Sequence, residues 1–171
     1  MSSLKYSYEP SVVSLPGFTV VGVSYDASLT QIFEQQLGKK AYESVLSRKD
    51  EISSRISDDV YLVQVYPRKE GFNAQVDPFT QFIGYLVEGC DRVPEGMTSR
   101  SFPDREYVKV THHGLESELG HTYDFVYGKW IRENGRCPDS FDFEIWDERY
   151  KPDQPDNQID LYVALEPAGK E

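Results

Sequence analysis

Apolar positions along this chain switch between two periods. The run Phe18-Thr-Val-Val-Gly-Val-Ser-Tyr25 is rich in β-branched residues and follows a Pro16-Gly17 turn, which predicts a strand. From about Ser28 to Arg48 the spacing becomes helical, with Ile32, Phe33, Leu37, Ala41 and Val45 on one stripe and Ser28 placed as cap. Two strand-like runs follow, Val60 to Tyr66 and Phe79 to Glu88, around a loop holding Pro67, Gly71, Asn73 and Pro78. After Pro94-Glu-Gly96 the order returns. Glu106 to His112 reads as a strand that Gly114 ends, and Ser117 to Glu133 reads as a helix stopped by Asn134-Gly135. That helix puts Leu119, Tyr123, Val126, Tyr127 and Trp130 on one side. Phe141 to Asp147 and Ile159 to Leu165 are the last strands, separated by a Pro- and Asp-rich loop.

Each half thus runs strand, helix, strand, strand, over residues of about 10–90 and 104–166, which points to a diverged internal duplication. The economical architecture is α+β: a duplicated β-α-β-β unit forming a curved antiparallel sheet, two helices on one face and a ligand cleft between the halves. The whole chain, 1–171, is expected to be one domain without a DNA-binding domain, because Met1 to Pro10 is too short for a helix-turn-helix.

Side chains alternate faces along a strand. In Phe141-Asp-Phe-Glu-Ile-Trp-Asp147, Phe141, Phe143 and Ile145 are expected under the helices, leaving Asp142, Glu144 and Trp146 on the other face. In Ile159-Asp-Leu-Tyr-Val-Ala-Leu165 the apolar face is Ile159, Leu161, Val163 and Leu165, opposite Asp160, Tyr162 and Ala164. If these strands pair, Glu144, Trp146 and Tyr162 share the side away from the helices. A carboxylate beside aromatic rings is a receptor for organic cations. Alternation alone favours reading Glu144 as a solvated residue on an open sheet face, the commonest state of glutamate.

Composition narrows the partners. The net charge is -11 and no cluster of Lys and Arg is present, which disfavours direct nucleic-acid binding and docking on an anionic membrane. The acidity favours cationic ligands or basic protein surfaces, and serves solubility equally well. Hydrophobic residues make up 39% of the chain, enough for a packed core. Cys90 and Cys137 form neither a C-x-x-C pair nor a disulfide framework. With no signal peptide and no apolar stretch of spanning length, a cytoplasmic location is expected.

Other constellations carry little chemistry. His112 and His113 point to opposite faces of a strand, and with His121 they lack partners at ligand spacing, so no metal is expected. The acidic loops at Asp58-Asp59 and Asp153 to Asp160 lack the spacing of a calcium loop. No P-loop, nucleophile elbow or dinucleotide fingerprint occurs, and no cofactor is expected. Gly84 and Gly89 read as ordinary strand and turn glycines.

Four stretches of the second half resemble the GyrI-like family, the effector-binding domain of multidrug-sensing and AraC-type bacterial regulators. They are Tyr107-Val-Lys-Val-Thr-His-His-Gly114, Thr122-Tyr-Asp-Phe-Val-Tyr-Gly-Lys-Trp130, Phe143-Glu-Ile-Trp-Asp-Glu-Arg149 and Ile159-Asp-Leu-Tyr-Val163. Phe18 to Tyr25 and Gln81 to Glu88 fit the first half more loosely. The resemblance implies the duplicated β-α-β-β fold and a Glu on the penultimate strand that meets cationic, aromatic ligands in an aromatic cleft. Glu144 matches that position, Trp146 follows where an aromatic or apolar residue is usual, Tyr162 lies on the last strand, and Trp130 matches a helix Trp. Tyr107, Tyr85 and Tyr61 are further wall candidates. Asn134 and Ala164 depart from the family's frequent Ser and Pro. The resemblance also implies three activities: sensing or sequestering small amphipathic molecules, hydrolysis of cyclopropane-containing alkylating natural products with Glu144 as catalytic base, or a gyrase-inhibitor-like contact with a protein partner. Homodimerisation is a further expectation.

Overall fold

The computed structural model describes residues 9–89 and 92–167. Cys90 and most of the N-terminal stretch read above lie outside them. The fold is α+β and antiparallel. It contains β1 (Ser11–Leu15), β2 (Phe18–Ala27), α1 (Leu29–Gln35), α2 (Leu37–Ser47), β3 (Arg55–Val65), β4 (Phe79–Val87), β5 (Thr98–Phe102), β6 (Arg105–His113), α3 (Leu119–Phe125), α4 (Ile131–Glu133), β7 (Pro138–Trp146) and β8 (Gln158–Leu165). A π-helical turn, Val126–Trp130, joins α3 to α4, and a 3-10 turn, Glu116–Glu118, leads into α3.

The chain forms two compact units. One is Gly17–Pro103; the other combines the chain before Gly17 with the chain from Asp104 onward. Their sheets share one strand order, β5-β2-β4-β3 in the first and β1-β6-β8-β7 in the second. In each, the first strand of the β-α-β-β repeat pairs with the third and the third with the second, as a duplication requires. β1 and β5, not anticipated from sequence, each extend one sheet by pairing with β6 and β2 respectively. Their segments, Ser-Val-Val-Ser-Leu and Thr-Ser-Arg-Ser-Phe, are short and mostly exposed, so their hydrophobic alternation is weak.

The helix read as continuous from Ser28 to Arg48 is broken. Gln36 adopts a left-handed conformation, φ 54° and ψ 42°, that separates α1 from α2. The capping box between Ser28 and Gln31 fixes the start of α1. Leu29 N–H donates to Ala74 O at 2.8 Å and Thr30 N–H to Gln75 O at 3.4 Å, so loop carbonyls satisfy donors of the first turn. Gln36 holds this conformation although a non-glycine residue there costs roughly 1–2 kcal/mol. Phe33, expected on the core stripe, is consequently 85% exposed, while Ala41 and Val45 of α2 stay buried.

In the second unit, Val126 and Ile131 are buried against Val108, Val110, Leu161, Val163 and Leu165, with Tyr123, Phe125, Tyr127 and Trp130 packed around them. Tyr123, Val126, Tyr127 and Trp130 of the expected stripe thus lie on this core with Phe125 and Ile131, while the π-helical turn interrupts the 3.6-residue period and Leu119 is not part of the cluster. No helix among the described residues is long and apolar enough to cross a membrane.

Gly84 is more than an ordinary strand glycine. It faces Gly22 across the β2–β4 pair. A Cβ on Gly84 would overlap the Val21 carbonyl, and one on Gly22 would overlap the Ile83 carbonyl. The two backbones approach too closely for any side chain there. Gly22→Ala and Gly84→Ala are each expected to lower stability by more than about 2 kcal/mol in urea denaturation, against the usual small gain of Gly→Ala at an unstrained site.

Candidate functional site

The pairing register of β7 and β8 decides which residues share a face. Asp142 lies opposite Val163, Phe143 opposite Tyr162, Glu144 opposite Leu161, and Ile145 opposite Asp160. Directly paired residues project to the same side of a sheet. Glu144 and Asp142 therefore stand on the helix-covered face with Leu161 and Val163, and Tyr162 stands on the other face with Phe143. This corrects the expected arrangement, in which Phe143 sat under the helices and Glu144 shared a face with Tyr162. Alternation assigns two faces to each strand, but only the register says which face of one strand meets which of its neighbour.

A glutamate is admitted to that face because the helix brings hydroxyls to it. The Tyr123 hydroxyl donates to Glu144 Oε2 at 2.5 Å, and the Tyr127 hydroxyl donates to Asp142 Oδ2 at 2.6 Å. The spacings match. Residues two apart on a strand are about 6.6 Å apart, close to the separation of the two tyrosine rings. The two tyrosine rings lie 6.4 Å apart and within 10° of parallel. Asp142 and Glu144 are 0% and 2% exposed.

Trp146, third on the same face of β7, closes the other side. Its indole N–H donates to Glu144 Oε1 at 2.9 Å. Its ring stacks on Tyr150, with centroids 4.5 Å apart and planes 2° apart. The Tyr150 hydroxyl donates to Glu116 Oε2 at 2.9 Å. Glu144 thus sits in a cage of Tyr123, Trp146 and their neighbours.

Burial pushes the Glu144 carboxyl up to about 8. The hydrogen bonds from Tyr123 and Trp146 pull it down, and the nearby Glu116 and Asp142 carboxylates push it up again. Removal from water outweighs what two neutral donors restore. Burial also raises Glu116, partly offset by the Tyr150 hydroxyl, and raises Tyr127 well above the usual phenol range, helped by Asp142.

The other residues singled out in the sequence lie elsewhere. Tyr162 stacks on Phe143 at 4.7 Å, and Tyr107 meets Phe143 edge-on at 5.3 Å, forming an aromatic cluster on the face away from the helix. Lys109 Nζ lies 5.7 Å from the centre of the Tyr162 ring. The Tyr107 hydroxyl is buried without a hydrogen-bond partner among the described residues. Trp130 packs on the core cluster beneath the helix. Tyr85 and Tyr61 belong to the first unit and point to opposite faces of its sheet. Tyr85 is buried under the Arg55 guanidinium, and Tyr61 packs against Phe18.

Buried His112 engages Thr122 Oγ1 at 2.6 Å and Leu115 O at 2.9 Å, tying the start of the helix to β6. No group of three or more His, Cys, Asp or Glu among the described residues is placed to hold a metal ion.

Five residues at the site escaped the sequence reading in this role: Tyr123, Tyr127, Asp142, Tyr150 and Glu116. The first three carry a usable signal. Two tyrosines four apart on a helix, in a chain with two carboxylates two apart on a strand, form a matched polar ladder. Tyr150 and Glu116 lie in irregular segments, where no periodicity assigns a direction.

The Cass2 family of integron-associated effector binding proteins matches residues 11–165. The transcriptional regulator BrlR of Pseudomonas aeruginosa is 28% identical over 156 residues, 90% of this chain and 54% of BrlR, so the chain spans about half the length of that relative. The fold is similar to that of SAV2435, solved bound to tetraphenylphosphonium, with a TM-score of 0.69 at 8% identity over 92% of this chain and 93% of that one. It is also similar to that of the integron cassette protein VCH_CASS2 from the mobile metagenome of Vibrio cholerae, with a TM-score of 0.54 at 13% identity over 92% and 95% of the two chains. With the family matched across both units, this chain belongs to the integron-associated effector binding proteins and is a GyrI-like small-molecule-binding domain.

Proposed function

We propose that the side chains around Glu144 bind organic cations that carry aromatic surface, for sensing or sequestration. One observation carries this reading: a carboxylate 2% exposed whose hydrogen bonds come from neutral donors, the Tyr123 hydroxyl and the Trp146 indole. Neutral donors do not cancel its charge, whereas a cationic ligand does, and the aromatic faces of Tyr123, Tyr127 and Trp146 supply contact area and negative π surface. The proposed wall keeps Glu144 and Trp146 from the sequence reading and takes Tyr123 and Tyr127 in place of Tyr162 and Tyr107. SAV2435, which shares the fold, was solved with an aromatic phosphonium cation, in keeping with this reading. In a regulator such as BrlR a domain of this kind would report the ligand to transcription.

The raised Glu144 pKa also favours a second reading, hydrolysis, because a base near the working pH transfers protons efficiently. Mass spectrometry of a cyclopropane-containing alkylating compound incubated with the protein separates the two, since a pure binder leaves the ring closed.

Glu144→Gln is expected to weaken tetraphenylphosphonium by about tenfold or more, and neutral triphenylphosphine oxide by less than about twofold, in fluorescence titration. Equal losses for both probes would remove the counter-ion role.

The pH dependence has a defined sign. The folded carboxyl titrates at about 8 against an ordinary 4.5, so its stabilising contribution is complete below about pH 4.5 and is lost as pH rises through about 8. Ligand-free protein should lose on the order of a few kcal/mol of stability across that window, and Glu144→Gln should flatten the loss in denaturation curves taken at each pH. Affinity for a permanently charged cation runs the other way. It should rise up to about tenfold per pH unit until about pH 8 and then level, with proton release on binding below about pH 8 measured by calorimetry in buffers of different ionisation enthalpy.

A further inference from the structure

We infer that Tyr150 is a specificity-determining residue of this site: its ring holds the face of Trp146 that a flat aromatic cation would occupy, so flat ligands bind by displacing it. This rests on the proposed role of Glu144 and names the ligand shape that role selects.

The geometry is that of a stacked ligand. Tyr150 lies 4.5 Å from the Trp146 ring centre, with planes 2° apart. The edge of the same indole donates to Glu144 Oε1 at 2.9 Å. A flat cation on that face would sit beside the carboxylate, with its ring on the indole and its charge near Glu144.

The backbone on both sides of Tyr150 is pinned. Tyr150 N–H donates to Asp147 O at 2.9 Å, and the Arg149 guanidinium binds Asp147 and Asp160, each at 2.8 Å. Lys151 N–H donates to Asn157 Oδ1 at 2.7 Å, and Glu116 N–H to Pro152 O at 3.0 Å. Buried Asn157 in turn donates to Gly114 O at 2.9 Å. The loop therefore stays in place, and the exchange is a rotation of the tyrosine side chain. That rotation gives up the stack and the hydrogen bond to Glu116, and it leaves the Glu116 carboxylate beside the vacated face as a second negative group for the cation. Tetraphenylphosphonium, whose four rings radiate tetrahedrally, cannot lie flat on an indole and does not compete with Tyr150.

Calorimetric titration of the wild type, Tyr150→Phe and Tyr150→Ala with flat N-methylacridinium and with tetraphenylphosphonium tests the inference, with circular dichroism confirming that each variant folds. Removing a ring that occludes the ligand face removes a conformational cost of binding. Tyr150→Ala should bind methylacridinium about tenfold more tightly and change tetraphenylphosphonium by less than about twofold. Tyr150→Phe, which keeps the ring and loses the tie to Glu116, should show a smaller gain. Without ligand, acrylamide quenching of tryptophan emission should increase in Tyr150→Ala as the Trp146 face opens.

Weaker binding of both cations by Tyr150→Ala would make Tyr150 a wall of the site and overturn the inference. Equal changes for the two cations, or none, would overturn it as well. Absence of binding by the wild type and every variant would instead sink the Glu144 reading, and the quenching would still report whether Tyr150 covers Trp146.

Discussion

A carboxylate taken out of water loses a hydration shell that two hydrogen bonds from neutral groups only partly replace, and the arrangement around Glu144 follows from that imbalance. The group is tolerated because β7 lies in the register that sets Glu144 opposite Leu161 and Asp142 opposite Val163, beneath a helix carrying two tyrosines at matching spacing. Moving the register by one residue would put Phe143 under the helix and leave both tyrosine hydroxyls without their carboxylates. The polar ladder and the strand pairing therefore specify each other. The remaining apolar contacts, Val126 and Ile131 on Val108, Val110, Leu161 and Val163, fix the helix at the height where the hydroxyls reach.

The first unit meets a related problem with neutral groups. There β3 and β4 take the places that β7 and β8 hold in the second unit, and Gln64 lies opposite Gln81. Both glutamines are buried. Gln81 donates to Gln64 Oε1 at 2.9 Å, Gln64 donates to the Tyr66 hydroxyl at 3.2 Å, and Tyr25 donates to Gln81 Oε1. Amides offer donor and acceptor together, so this network runs as a chain from Tyr25 to Tyr66 and carries no net charge. An ionised carboxylate accepts only, and neutral donors leave its charge uncancelled, so burial favours its protonated form. Where the first unit has a buried amide pair, the second has a ladder of two buried carboxyls bonded to two tyrosine hydroxyls. Chemistry, and not topology, distinguishes the two units.

The proposed role of Glu144 does not require a preformed void. The faces a ligand would use can be held by the protein's own rings. Stacked Trp146 and Tyr150 and parallel Tyr123 and Tyr127 exclude water from Glu144, and that exclusion is what raises its pKa. The same rings that make the carboxylate costly to ionise supply the aromatic contacts that a cation would gain. Under the proposed role of Glu144, protonation state and ligand occupancy are linked through one group.

Much of this was legible in the chain itself. Hydrophobic period located the repeated strand-helix-strand-strand order, and the β-α-β-β units have the pairing that order implies, because burying one face of each element leaves few alternatives. Glu144 could be singled out by alternation together with resemblance. Its surroundings could not. Which face of β7 meets the helix depends on register between segments that local spacing does not connect. The break at Gln36, the exposure of Phe33 and the pairing of Leu29 and Thr30 with loop carbonyls 45 residues away leave no mark in the local periodicity. The contact of Tyr150 with Trp146 is set by a loop whose turn is held by Arg149, Asp147 and Asn157. Local sequence determines where a side chain can point within its own element; only the tertiary structure decides what it points at, because that depends on pairings between distant segments whose energies are settled together.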